Sequence, residues 1–138
     1  MIKEFWINLP TKDVGKTREF FKAMGFNENI RFCTNPTMAS FFVGESNVVV
    51  NFFTEALFKS FTLNEISDTS KSTEALFSID AQNPSQVDEL AKKAVNAGGK
   101  LYAPPGEKDG WMYGCGFTDL DGHRWNVLYM DMEKMPQQ

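Results

Sequence analysis

The sequence predicts an α+β fold of two βαβββ modules whose strands form a curved, mostly antiparallel sheet with helices outside. Three observations carry that prediction. An aromatic hairpin closes the C-terminal half, strand and helix signals recur in the same order in both halves, and each half has a single helix to cover its strands. A three-strand meander with one helix cannot bury both sheet faces alone, so two such units side by side form a concave inner face. A concavity lined from both halves is a natural place for a small molecule.

The hairpin is the most legible element. Two aromatic-rich runs, 111–118 and 123–130, flank Asp119-Leu120-Asp121-Gly122. Aromatic and β-branched residues suit a pleated surface, and Asp-Gly supplies the positive φ of a tight turn. Alternation sets Arg124, Asn126 and Leu128 on one face and Trp125, Val127 and Tyr129 on the other. Asn126, polar among large apolar neighbours, marks either a site or a face open to water.

Along the chain, 5–11 reads as a strand ending near Pro10, and Asp13 as the N-cap of a helix. Val14, Phe20, Phe21 and Met24, with Thr17 between, form its apolar stripe, and Gly25 stops it. Residues 26–34 read as a strand, and 37–43 with 47–54 as a hairpin across Gly44-Glu45-Ser46. Residues 55–59 form a helical turn or two, Thr62 and Glu65 have capping-box spacing, and the polar tract 67–73 links the halves. Then 73–81 reads as a strand. Asn83-Pro84 starts a helix with Val87, Leu90, Ala91, Ala94 and Val95 on one stripe, ended by Gly98-Gly99. Residues 100–103 form a short strand and 104–110 a loop. Pro104-Pro105 stiffens that loop and Gly106 and Gly110 hinge it, so it either folds over the pocket or is an inert connection. The division is one domain, 1–138: a first module 1–54, a helical linker 55–72, a second module 73–131 and a tail 132–138.

Bulk properties narrow the function. The 138 residues include thirteen Phe and three Trp, enough for a core without disulfide or metal staples. A net charge of −4 with no Lys/Arg block gives no electrostatic support for nucleic-acid binding; Lys92-Lys93 reads as a solvated edge. No apolar run has the length of a membrane span and the N-terminus lacks a signal-peptide layout, so the expected setting is cytoplasmic. Cys33 and Cys115, the two cysteines, lack C-x-x-C spacing and read as reduced thiols. Cys115 sits between glycines, yet no second cysteine or basic neighbour lowers its pKa, which favours a buried small hydrophobe.

Two stretches carry a family resemblance. Asn8-Leu9-Pro10-Thr11-Lys12-Asp13 leads into Glu19-Phe20-Phe21 and Met24-Gly25-Phe26. Phe117-Thr118-Asp119-Leu120-Asp121-Gly122-His123-Arg124-Trp125 matches an F-x-D-P-D-G-H-x-W turn and strand, with Leu120 in place of Pro. Together they resemble the glyoxalase/bleomycin-resistance/dioxygenase group, the vicinal-oxygen-chelate superfamily, over nearly the whole chain. Thr54-Glu55, Phe58-Lys59, Phe61 and Met112-Tyr113-Gly114 further resemble small bacterial proteins labelled predicted lactoylglutathione lyases.

Metal-using members of that group place one His, Glu or Gln on each of four strands. The resemblance puts those positions at Trp6, near Asn51, near Glu74 and at Asn126. Indole binds no hard cation and neutral amide oxygens are weak ligands, so only Glu74 keeps ligand character. His123, the sole histidine, reads as a turn residue packed on its neighbours. The expectation is therefore a small-molecule-binding member with no cofactor and no metal. Trp6, Asn8, Asn51, Glu74, Trp111, Tyr113 and Asn126 line its pocket; the tryptophans stack on a planar ligand and Glu74 pairs with a cationic group. The alternative is a divergent metal-dependent lyase or dioxygenase-like enzyme, with a divalent metal and Glu74 as ligand or general base. Whether the chain is an enzyme stays open on residues alone. The resemblance also implies a homodimer.

Overall fold

Asp13 caps the first helix as its residue type demands. Its carboxylate accepts the Lys16 N–H at 2.9 Å, and Val14, Thr17, Phe20, Phe21 and Met24 point into the core. The computed structural model describes residues 1–136. Gln137 and Gln138, the end of the expected tail, lie outside them. Two compact units make up the chain, Met1–Ser72 and Thr73 onward.

In the first unit, β1 (Trp6–Thr11), α1 (Val14–Ala23), β2 (Asn27–Glu28), β3 (Met38–Val43) and β4 (Val48–Thr54) are followed by α2 (Glu55–Thr62). The strand order is β1-β4-β3-β2, with β1 parallel to β4 and the other pairs antiparallel. Phe21 fills the space between α1 and the sheet, stacked on Phe52 at 4.7 Å between ring centres and tilted against Phe41 at 5.8 Å.

The second unit repeats the plan: β5 (Leu76–Asp80), α3 (Pro84–Asn96), β6 (Lys100–Lys108), β7 (Met112–Thr118) and β8 (Arg124–Met130). The order is β5-β8-β7-β6, and β5 is again parallel to β8. Asn83 accepts the Gln86 N–H at 2.8 Å at the start of α3. Val87, Ala91 and Ala94 bury completely, while Val95 is half exposed at the margin of the expected stripe. Trp125 and Val127, on the hairpin face that alternation assigned to them, form the core under α3 with Phe117. Two βαβββ units, each with one helix covering one face of its sheet, are thus present as expected, and α2 follows the first.

Four local expectations need correction. Residues 26–34 form only a two-residue strand and then a 3₁₀ turn, Ile30–Phe32. Asn29 ends the strand because its side chain turns back to accept the Arg31 N–H. Thr62 and Glu65 form no capping box: Thr62 is the last residue of α2, Leu63 adopts the left-handed C-cap at φ 55°, and Glu65 pairs with Lys59 at 3.1 Å. The segment 104–108 is no loop or lid, because β6 continues to Lys108, with both prolines in the register irregularity between Ala103 and Gly106. Finally β5 starts at Leu76, so Glu74 is on no strand. Among the described residues no helix is long and apolar enough to cross a membrane.

Candidate functional site

Strand alternation lays three rows across the face of the first sheet opposite α1. Trp6, Val49 and Phe42 form one row; Pro10, Phe53 and Met38 form another. Between them run Asn8, Asn51 and Ser40, a polar row in an otherwise apolar surface. Asn51 donates from Nδ2 to Asn8 Oδ1 at 3.0 Å. Asn29, just past β2, extends the row: its backbone N–H reaches Ser40 O at 2.8 Å, and its Nδ2 reaches Ser40 Oγ at 3.4 Å.

These rows floor a cavity of about 590 Å³. Phe61 of α2 meets Phe53 edge-on at 5.2 Å and walls one side; Phe32 of the 3₁₀ turn also lines it. Glu4 and Arg31, opposite in charge, are its ionisable lining residues. Asn51 is 8% exposed, and its Oδ1 has no hydrogen-bond donor. A buried acceptor left without a partner costs about 1–3 kcal/mol, so it needs an explanation.

The wall formed by 29–37 is tied down by Arg18. Its Nη2 donates to the carbonyls of Asn35, Met38 and Phe32 at 2.8, 2.9 and 3.3 Å. Its Nε lies 3.3 Å from Glu28 Oε2, in an ion pair that water barely reaches. Nothing in the α1 periodicity signals this role, because Arg18 lies off the apolar stripe.

Trp6, Asn8 and Asn51 share the first-sheet cavity. Trp111 and Tyr113 lie on the second unit, beside Pro84 at the start of α3. Tyr113 donates to Asp88 Oδ1 at 2.7 Å, and that bond raises its phenol above the ordinary value. It faces the helix because β7 pairs it with Tyr129, on the core side of β8. Asn126 does occupy the helix-free face of the second sheet, where it donates to Ser78 Oγ at 3.4 Å. Glu74 is exposed in the bend before β5. Ser40 and Asn29 were missed. The hairpin register, which closes at Val43 opposite Val48, was the available signal for Ser40.

On the second sheet's helix-free face, the Arg124 guanidinium carbon sits 4.3 Å from the Tyr102 ring centre. Gly116 makes that possible, because a Cβ there would collide with the Tyr102 ring.

A divalent metal does not fit the positions that the resemblance assigned. They offer an indole, the neutral amides of Asn51 and Asn126, whose N–H groups bond to Asn8 and Ser78 and whose oxygens are weak ligands, and a carboxylate away from any strand. Asp119, Asp121 and His123 bring one ligand atom each within 4.8 Å of one another. Asp119 is already committed there. Its Oδ1 accepts the N–H groups of Asp121 and His123, both at 3.0 Å, and its Oδ2 accepts Trp125 Nε1 at 3.1 Å. Burial pushes its carboxyl up to about 6, against the pull of His123 and the Trp125 indole. This is a turn built around a carboxylate. Burial likewise pushes the Cys115 thiol up to about 11, which makes it an inert core group.

No family model matches the chain, and no curated protein matches it. Solved structures do. A hypothetical protein from S. aureus is similar at 30% identity and TM-score 0.81, over 93% of this chain and 94% of that one. A glyoxalase/bleomycin resistance protein/dioxygenase family enzyme from Burkholderia phytofirmans is similar at 19% identity and TM-score 0.74, over 89% and 94%. A glyoxalase-related enzyme from Fulvimarina pelagi is similar at 18% identity and TM-score 0.76, over 93% and 88%.

Proposed function

We propose that the chain, whose fold is that of solved glyoxalase/bleomycin resistance/dioxygenase structures, belongs to that superfamily and binds a small organic molecule on the face of its first sheet opposite α1, without the divalent metal of metal-using members. One observation carries the reading: a row of amide and hydroxyl groups, Asn8, Asn51, Ser40 and Asn29, crosses the floor of a cavity whose other rows are apolar. Its volume, about 590 Å³, suits a drug-sized ligand. Few polar groups among aromatic ones is the usual make-up of such sites.

The test is a thermal-shift screen of planar aromatic compounds against the chain and its Asn51→Leu variant. Compounds that raise the melting temperature of the first and not of the second support the site. Hits that stabilise both equally would place binding elsewhere and overturn it. Metal analysis of freshly purified protein addresses the second half of the proposal, and one tightly held Zn, Ni, Mn or Fe per chain would refute it.

The same reading takes the protein as a cytoplasmic homodimer. Free cysteines support the compartment. Exposed Phe5 and Leu76 support association, since large apolar side chains in water favour a partner surface. Light scattering that gives a monomer at every accessible concentration would rule the dimer out.

A further inference from the structure

The second unit has a cavity of its own, about 170 Å³, where the sheet meets the start of α3. We infer that it takes the quaternary ammonium head of a small molecule, held between Trp111, Tyr113 and Tyr129 under the negative charge of Glu107 and Asp131. The site shares no residue with the first-sheet cavity, so it stands or falls apart from the binding proposed there.

Pairing register brings these groups together. Glu107 of β6 lies opposite Tyr113 of β7, and Tyr113 opposite Tyr129 of β8, so the three form one row on one face. The Asp131 N–H donates to Trp111 O at 2.8 Å, one step past the Met112–Met130 pair. Trp111 and Asp131 therefore return to the face that carries the row. All three rings are partly buried, held by their neighbours yet open to the cavity.

Charge decides which ligand suits them. The face of an aromatic ring is negative and attracts a cation, indole most strongly. Tyr113 donates its hydroxyl to Asp88 Oδ1 at 2.7 Å, and that carboxylate pushes electron density into the ring. The charged residues lining the cavity are Glu107, Asp131 and Lys134, a net negative set. An anion would meet two carboxylates there. Pro84, the first residue of α3, has no N–H to offer it.

Size and hydrogen bonding narrow the cation. The cavity is smaller than the roughly 300 Å³ at which sites for drug-sized molecules begin, so it admits a head group. A primary ammonium brings three N–H donors that need acceptors. Asp131 Oδ1 already accepts the Glu133 N–H at 3.2 Å, and the rings are poor acceptors. A quaternary ammonium has no N–H to satisfy, and its methyl groups rest on the rings. The chain's own cation is already drawn to this rim: Lys134 Nζ stands 3.9 Å from Asp131 Oδ2 and is mostly exposed, so it can swing aside.

Choline and neohexyl alcohol, its uncharged analogue with carbon in place of nitrogen, have nearly one shape. Each is titrated into isotope-labelled full-length protein while the Trp111 indole signal and the ring signals of Tyr113 and Tyr129 are followed. Choline should move all three with a dissociation constant on the order of 1 mM, and the alcohol should bind at least about tenfold more weakly. Two substitutions of exposed side chains should act in opposite directions: Glu107→Gln weakens choline binding about threefold, and Lys134→Met tightens it by about as much. Equal binding of choline and the alcohol, or no response to either substitution, would overturn the ammonium class. Shifts confined to other residues, or none at about 100 mM choline, would overturn the site itself. Loss of these signals on phosphatidylcholine vesicles, with free choline inert, would assign the rings to a lipid surface and overturn the small-molecule reading.

Discussion

Asn51 donates to Asn8 at 3.0 Å across the parallel β1–β4 pair, and Asn126 makes the corresponding bond to Ser78 at 3.4 Å across β5–β8. The two halves share little sequence, yet each sets an amide on its inner strand against a polar partner on its outer one. In the first unit the amide is buried with an unfilled acceptor. Stability does not require that arrangement. Asn51→Leu has similar bulk and removes the orphaned oxygen, and exposed Asn8 regains water. Urea unfolding should therefore show a change within about 1 kcal/mol or a gain, together with the loss of ligand-induced stabilisation. A loss of about 3 kcal/mol or more would make Asn51 a structural strut and not a binding group.

Asp119 is the opposite case, a buried polar group that the fold needs. Asp119→Ala strands two backbone N–H groups and the Trp125 indole N–H, so it should cost about 2–4 kcal/mol in urea unfolding. The pH dependence has a definite sign. The folded carboxyl titrates near 6 and the ordinary one at 3.8, so between those values the folded chain holds a proton that the unfolded chain has released. Its contribution is fully present below 3.8 and is lost as pH rises through 6. The stability difference between the protein and Asp119→Ala should shrink over that interval, and a difference that grows would contradict the assignment.

Signals confined to a few adjacent residues were the ones the sequence made legible. Asp13, Asn83-Pro84 and Asp119-Leu120-Asp121-Gly122 act through bonds spanning four residues or fewer, and all form as their chemistry requires. Failures came where a side-chain bond or a strand's place in the sheet overrides residue preference. Asn29 leaves the strand pattern as its side chain accepts the Arg31 N–H, and Arg18 of α1 holds the segment that follows. Pro104 and Pro105 read as loop residues, yet β6 is an edge strand, where a missing N–H is tolerated. In the candidate site, the resemblance pointed to Trp6 and to the neighbourhood of Asn51, and both line the first-unit cavity with Asn8. The face that Tyr113 takes was not legible, because it depends on pairing register, which sets Tyr113 opposite Tyr129.

Arg18 should be worth more than its place on α1 suggests. Arg18→Met keeps the aliphatic stem but abandons three carbonyls and leaves the Glu28 carboxylate without its cation. We expect a loss of about 2–4 kcal/mol and increased amide exchange in 29–37. Adding Glu28→Gln should recover part of that loss, since much of it comes from the stranded carboxylate. No recovery would assign the whole effect to the carbonyl bonds.

Gly116 and Tyr102 should behave as one unit. Gly116→Ala drives a methyl into the Tyr102 ring, which lies over that glycine and carries the Arg124 guanidinium on its face. Overpacking of this kind costs about 1–3 kcal/mol, and it should lower the melting temperature. Tyr102→Ala alone loses the cation–π contact and little else, because its hydroxyl reaches Trp125 O only at 3.5 Å. In the double variant the added methyl meets no ring, so the Gly116→Ala penalty should largely vanish and the combined loss should fall below the sum of the single ones. Additive losses would mean that strain at Gly116 comes from backbone conformation. The glycine would then have been kept for a reason unrelated to where Tyr102 lies.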